Sequence, residues 1–99
     1  MKYKISHEAG RDIENIWLYT FEKWSIEQAD RYFNLIMDEI EYLANNPKSG
    51  EDYSIVRNGY FRSRIKSHFI FYKINRKNEE IIIIRVLHQR MDIETRLNE

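Results

Sequence analysis

SIEQADRYFNLIMDEIEYLANNP, residues 25–47, is the stretch that decides the fold. Ala29, Tyr32, Phe33, Ile36, Met37, Ile40, Leu43 and Ala44 recur at spacings of three and four, which places them on one face of a helix. Ser25-Ile26-Glu27-Gln28 fits a capping box, with Gln28 able to reach back to the Ser25 amide. Asn45-Asn46-Pro47 ends the helix, because proline cannot continue it and asparagine tolerates a left-handed cap.

Upstream, Ala9, Ile13, Ile16, Trp17, Phe21 and Trp24 form a second helical stripe. Ser6 is its N-cap and Glu8 sits in its first turn, where the helix dipole favours an acid. This spacing predicts a helix over His7–Lys23. Trp17 and Trp24 fit its buried stripe, Phe21 lies at the edge, and Leu18 and Tyr19 point away. The two helices meet through almost no linker, so they form an antiparallel hairpin. Lys2 to Ile5 alternates as a short first strand.

Downstream, Pro47 to Asn58 is a polar connection. Tyr60 to Ile65 then alternates, with Phe61, Ser63 and Ile65 on one face and Tyr60, Arg62 and Arg64 on the other. Lys66-Ser67 and Arg76-Lys77-Asn78-Glu79 are turns, separating strands at His68–Ile74 and Glu80–His88. Three strands joined by short turns make a meander. The expected fold is α+β in the order β-α-α-β-β-β. An antiparallel helical hairpin packs on a mostly antiparallel four-stranded sheet, with a short C-terminal tail or helix. At 99 residues this is a single domain, 1–99.

The last two strands are apolar on both faces. Phe69 and Phe71 oppose Ile70, Tyr72 and Ile74, and Ile81 and Ile83 oppose Ile82, Ile84 and Val86. One two-helix layer covers one face, so the other needs the C-terminal tail, a partner chain, or both. Self-association of the free chain, as a homodimer, is the corresponding expectation.

Charge is segregated although the formal net charge is zero. From His7 to Asn46 nine acids face three bases, whereas Tyr53 to Asn78 carries seven bases and no acid. Such a field orients a molecule on an anionic partner. The chain has no cysteine, which excludes disulfides and thiolate chemistry and suits a reducing cytoplasm. No apolar run approaches the roughly 20 residues of a membrane span. His7, His68 and His88 show no metal-ligand spacing, and no phosphate-binding or nucleophile motif occurs, so neither a metal nor a cofactor is expected. What converges is positive: Arg62 and Arg64 on one strand face, and Arg85, His88 and Arg90 at the end of the last strand. Guanidinium forks suit phosphate or carboxylate recognition, and alternating arginines also keep a solvent-facing strand from aggregating. Arg85 follows four isoleucines, where a charge is costly without a partner.

The order of elements and several strings together resemble the ParE branch of the ParE/RelE toxins of bacterial type II toxin–antitoxin systems. The strings are Asp12-Ile13-Glu14-Asn15-Ile16-Trp17 with Tyr19-Thr20, then Ala29-Asp30-Arg31-Tyr32 and Asn46-Pro47-Lys48-Ser49-Gly50. Arg57, Tyr60-Phe61-Arg62-Ser63, Phe69-Ile70-Phe71-Tyr72 and Val86-Leu87-His88-Gln89-Arg90-Met91-Asp92 follow. The resemblance covers nearly the whole chain. It implies a non-enzymatic toxin that binds and inhibits DNA gyrase and is neutralised by a ParD-like antitoxin. DNA would be engaged only indirectly, through the antitoxin or gyrase. Target binding is expected at Arg57, Arg62, Arg64, Arg85, His88 and Arg90. Antitoxin binding is expected at Tyr19, Phe21, Ile70, Tyr72, Ile82 and Ile84. The RelE branch implies the alternative, a ribosome-dependent mRNA endonuclease with Arg62, Arg64, Arg85 and His88 as its catalytic set. The chain lacks that branch's characteristic C-terminal tyrosine or histidine-tyrosine pair.

Overall fold

Two serines start the two helices. In the computed structural model, which describes residues 1–98, the Ser6 hydroxyl accepts from the Ala9 amide and opens α1 (His7–Lys23). The Ser25 hydroxyl accepts from the Gln28 amide and opens α2 (Ile26–Asn45). Each satisfies an amide that the helix itself leaves unpaired. Around the hairpin lie β1 (Lys2–Ile5), β2 (Glu51–Asp52), β3 (Tyr60–Ile65), β4 (His68–Asn75), β5 (Glu80–His88) and a short α3 (Ile93–Leu97).

The sheet runs β1-β5-β4-β3-β2. β1 is parallel to β5, and the other neighbours are antiparallel. The sheet has five strands rather than the expected four. The extra one is the two-residue β2, which pairs Glu51 with Arg62 and Asp52 with Phe61 inside the polar connection. Tyr72 anchors this connection by accepting from the Gly50 amide at 3.1 Å and donating to the Pro47 carbonyl at 2.8 Å. A Cβ on Gly50 would stand 2.3 Å from that hydroxyl, so the close approach requires glycine.

The helix-side core joins Ala9 and Ile13 of α1 and Ile36, Ile40, Leu43 and Ala44 of α2 to Ile70, Tyr72, Ile81, Ile83 and Val86 of the sheet. Most of these side chains are fully sealed from water. A fully buried aliphatic side chain contributes about 1.5–3 kcal/mol, so this layer carries most of the stability.

On the opposite face a smaller cluster joins Tyr60, Phe71, Leu87 and Leu97, flanked by Tyr53, Phe69, Ile84 and Ile93. The chain's own α3 supplies the lid for the inner part of this face. The Asp92 carboxylate caps α3 by accepting from the Thr95 amide and hydroxyl. Of the covers expected for this face, the C-terminal tail is the one seen, and it seals Phe71 and Leu87 from within, so the centre of the sheet does not require a second polypeptide.

A register shift between Phe71 and Tyr72 changes which residues share a face. Phe71 stands opposite Arg85 and Tyr72 opposite Ile83, leaving Ile84 as the extra residue of a bulge. Val86 consequently joins Ile81 and Ile83 on the helix side.

Candidate functional site

β1 covers β5 only as far as Ile83, and α1 takes over the remaining edge. The Ser6 amide donates to the Ile83 carbonyl, and its hydroxyl donates to the Ile84 carbonyl at 2.8 Å. Nearly two turns further on, Asp12 accepts from the Val86 amide at 2.9 Å. The same carboxylate takes the Arg85 guanidinium in two hydrogen bonds, at 2.8 and 3.1 Å. Arg85 also donates to the Arg96 carbonyl of α3 at 3.1 Å. Arg85 thus ties α1, β5 and α3 together, and its charge is answered by a carboxylate as half-hidden as itself.

Beside this tie a broad cleft opens between the helical hairpin and the end of the sheet. Tyr19 and Trp24 line it from α1, Tyr32 from α2, and His68, His88 and Met91 from the sheet and tail. Tyr19 is 58% exposed and meets Trp24 edge-on at 6.5 Å. Trp24, expected in the core, is 64% exposed. It is the C-cap of α1, where the backbone has left helical geometry and no longer carries the stripe inward. Trp17 is half-buried, stacks on Phe21 at 5.4 Å and donates its indole N–H to Asp30 at 2.9 Å. Phe21 is exposed.

His68 and His88, read from the sequence as unrelated, are cross-strand partners with ring centroids 5.1 Å apart. The signal was available, since both are nearly equidistant from the turn at residues 76–79. The Tyr32 hydroxyl stands 2.6 Å from His68 Nδ1 and 3.2 Å from the Ile65 carbonyl. Both contacts are met together when Nδ1–H donates to the tyrosine oxygen and the hydroxyl donates its own hydrogen bond to the Ile65 carbonyl. Burial, and then the neighbouring His88, bring the His68 imidazole down to about 4, against a smaller opposing pull from Asp12. Burial also raises the Tyr32 phenol above its ordinary range. His88 Nδ1 accepts from the Arg90 amide at 3.0 Å.

The far face of the sheet carries the other predicted cations. The Arg62 guanidinium lies between the Tyr53 and Phe69 rings, 4.5 and 4.3 Å from their centroids, and pairs with Glu51 at 2.6 Å. Arg64 approaches Phe69 at 5.9 Å and donates to the Lys66 carbonyl and the Gln89 side chain. Arg57 lies over Tyr60 at 5.9 Å and donates to Asn98. Arg90 is exposed.

The structure therefore divides the predicted residues. Arg57, Arg62 and Arg64 share the far face. His88 contacts His68, whose hydroxyl partner Tyr32 belongs to the helical hairpin, and Arg85 is bound to Asp12. Of the four residues of the ribonuclease alternative, Arg85 and His88 line the cleft, whereas Arg62 and Arg64 lie on the far face. Of the predicted antitoxin contacts, Tyr19 and Phe21 lie on the surface. Ile70 and Tyr72 are corrected: both are 0% exposed, because the hairpin covers their face. Ile82 and Ile84 are half-buried, and Ile84 packs against the far-face cluster under α3. Among the described residues no three His, Cys, Asp or Glu side chains gather as a metal site. None of the described helices is long and apolar enough to cross a membrane.

Comparison with known proteins agrees over nearly the full length. A family model described as "ParE toxin of type II toxin-antitoxin system, parDE" matches residues 3–93. A curated protein named Toxin ParE1 from Caulobacter vibrioides is 37% identical over 95 residues, spanning 96% of each chain. Toxin ParE1 of Mycobacterium tuberculosis is 34% identical over 96 residues, spanning 97% of each. Toxin ParE of Escherichia coli is 30% identical over 95 residues, covering 96% of this chain and 91% of its own. Among solved structures, a chain of "Chromosomal ParDE TA system from P. aeruginosa" superposes with a TM-score of 0.77. It covers 89% of this chain and 95% of its own at 17% identity, which speaks for a shared fold. With the stripe-and-meander order, the family match and these full-length relatives in agreement, the chain belongs to the ParE toxins of type II toxin–antitoxin systems.

Proposed function

We propose that this toxin acts in the cytoplasm by binding DNA gyrase, without catalysis of its own, and is held inactive by a ParD-like antitoxin. The observation that carries the reading is that Arg62 and Arg64 sit on the far face of the sheet, while Arg85, which lines the cleft with Tyr32, His68 and His88, is engaged by Asp12. Acid–base groups that act on a phosphodiester must lie within hydrogen-bond reach of the same atoms as the charge that stabilises the transition state. Here the Tyr32–His68 contact and its neighbour His88 lie on one side, while Arg62 and Arg64 occupy the far face. A protein that works by gripping needs no such convergence.

The antitoxin reading rests on the cleft. Tyr19 and Trp24 leave large aromatic area in water beside the end of β5. Such area suits the apolar face of an amphipathic segment that folds on binding. Target contacts are assigned to Arg57, Arg62, Arg64 and Arg90, with His88 at the mouth of the cleft. Arg85 has a structural part through Asp12.

The test is to add purified chain to gyrase supercoiling of plasmid DNA and, separately, to ribosomes carrying message. Accumulation of cleaved plasmid, reversed by the antitoxin encoded beside the toxin gene, is expected. Message cut at codon boundaries with supercoiling unaffected would overturn the proposal.

A further inference from the structure

The helical hairpin is acidic as a whole, yet most of its bases lie along the cleft. Between His7 and Asn46 it holds nine acids and three bases, Arg11, Lys23 and Arg31. Two of the three bases, Arg11 and Arg31, line the cleft, against three of the nine acids, Glu8, Asp12 and Asp38. Asp12 is already engaged by Arg85. Arg11 and Arg31 are exposed, and neither guanidinium has an ion pair or hydrogen bond among the described residues. Their charge stands uncancelled beside the exposed rings of Tyr19 and Trp24.

A third cation is fixed at the same opening. Lys66 lies in the two-residue turn between β3 and β4 with φ at 48°, a left-handed conformation for which glycine or asparagine is the usual occupant. Hydrogen bonds hold both turn residues in place. Arg64 Nε donates to the Lys66 carbonyl at 2.9 Å, and the Gln89 amide donates to the Ser67 carbonyl at 2.8 Å. Strain of this kind persists where the surroundings over-determine the backbone, and here it keeps an exposed ammonium at the cleft. That ammonium also has no partner among the described residues. The free acids Glu8 and Asp38 decide what kind of anion fits. A nucleic-acid strand carries a phosphate at every step and would meet them as well as the cations. A peptide can set carboxylates against Arg11, Arg31 and Lys66, keep them away from Glu8 and Asp38, and lay apolar side chains on the rings.

We propose that the antitoxin segment seated in the cleft is acidic as well as amphipathic, and that Arg11, Arg31 and Lys66 select it by pairing with its carboxylates. The inference rests on the reading that the cleft is the antitoxin's seat, and it adds the charge that the segment must carry. The rings give affinity for any apolar segment. The cations separate a matching antitoxin from an unmatched one, because a segment with bases at those points would meet like charge.

The test is calorimetric titration of the full toxin with the antitoxin encoded beside its gene, at about 50 mM and about 500 mM salt. Arg11→Gln/Arg31→Gln is expected to weaken binding at least about tenfold at the lower salt and much less at the higher, where charges are screened. Arg11→Lys/Arg31→Lys keeps the charge and should recover most of that loss. The melting temperature should hold in both, since neither arginine has a partner to lose. Tyr19→Ser/Trp24→Ser reports separately on whether the cleft is the seat. If that pair binds weakly while the Arg→Gln pair binds like the parent, the antitoxin sits in the cleft without reading its charge, and the proposal alone is overturned. If both pairs bind like the parent, the seat lies elsewhere and the two readings fall together. A loss that is the same at both salts, or the same for Lys as for Gln, would make shape the cause and would also overturn the proposal.

Discussion

The two faces of the sheet are built from the same strands and solve opposite problems. The helix-side face is a layer of aliphatics with Tyr72, whose hydroxyl is spent on holding the Gly50 connection. The far face mixes aromatic rings with arginines and is closed only in its centre, by a five-residue helix. Stability is thus concentrated in one layer, which leaves the other free to carry charge at a surface.

The largest expected effect tests that division. Ile83→Ala, in the sealed layer, should cost about 3–4 kcal/mol of unfolding free energy in urea, from lost burial plus an unfilled cavity. Leu97→Ala, in the far-face lid, should cost about 1–2 kcal/mol, because a short terminal helix can loosen without opening the core. Equal costs would mean that the two faces share the load and that the contrast is wrong.

Next in size is the tie between them. Asp12→Asn keeps an acceptor for the Val86 amide but takes the counter-charge from Arg85, and should cost about 3 kcal/mol. Glu8→Gln, on the exposed first turn of α1, should stay within about 0.5 kcal/mol. Pairing Asp12→Leu with Arg85→Met should recover part of the loss, since a half-buried ion pair replaced by apolar groups of similar volume is often neutral. If the single Asp12 change is silent, Arg85 finds its stability elsewhere.

The cleft supplies a pH test. His68 favours the neutral form, at about 4 when folded against about 6.5 in an open chain. Its contribution is complete above pH 6.5 and is lost as the pH falls toward 4, where the folded imidazole must also charge. The full difference amounts to about 3 kcal/mol. Tyr32 from α2, His88 from β5 and Asp12 from α1 are the groups that bear on it. Chemical denaturation at pH 7 and pH 5 should show the decline, and His68→Gln should remove most of it. An unchanged slope in that variant would shift the acid sensitivity to other groups.

How much of this was legible in the sequence depends on how local each feature is. Both helices were readable to their ends, because Ser6, Ser25 and Pro47 act within one turn of the residues they control. β2 was not, since two residues carry no period and pair only because Tyr72 draws Gly50 in from 22 positions away. The bulge at Ile84 was equally invisible. Strict alternation assigned Val86 to the face of Ile82 and Ile84, and one extra residue moved it to the other side. The same blindness made Ile70 and Tyr72 look available to a partner. Alternation says which residues share a face, but not which face the helices will cover. Arg85 was flagged as needing a partner, but that partner is 73 residues away on α1, beyond the reach of any spacing argument.

The smallest expected effect on stability is the one most informative about function. Tyr19 and Trp24 are more exposed than buried, and each has the other ring as its aromatic neighbour. Replacing both, as Tyr19→Ser with Trp24→Ser, removes little that folding has hidden, so the melting temperature should move by the equivalent of about 0.5 kcal/mol or less. Binding responds differently. An antitoxin segment seated in the cleft would bury both rings at once, and central aromatic anchors of this kind cost about 2 kcal/mol or more each when truncated. Calorimetric titration with the cognate antitoxin should therefore show a loss of at least about a hundredfold with the fold intact. Ser54→Ala, on the exposed connection before β3, serves as a control that should leave both quantities alone. A double variant that binds the antitoxin normally would remove the cleft from the interface. If it melted several degrees lower instead, Trp24 would be holding the end of α1 in place, and the hairpin would share the structural load now assigned to the layer beneath it.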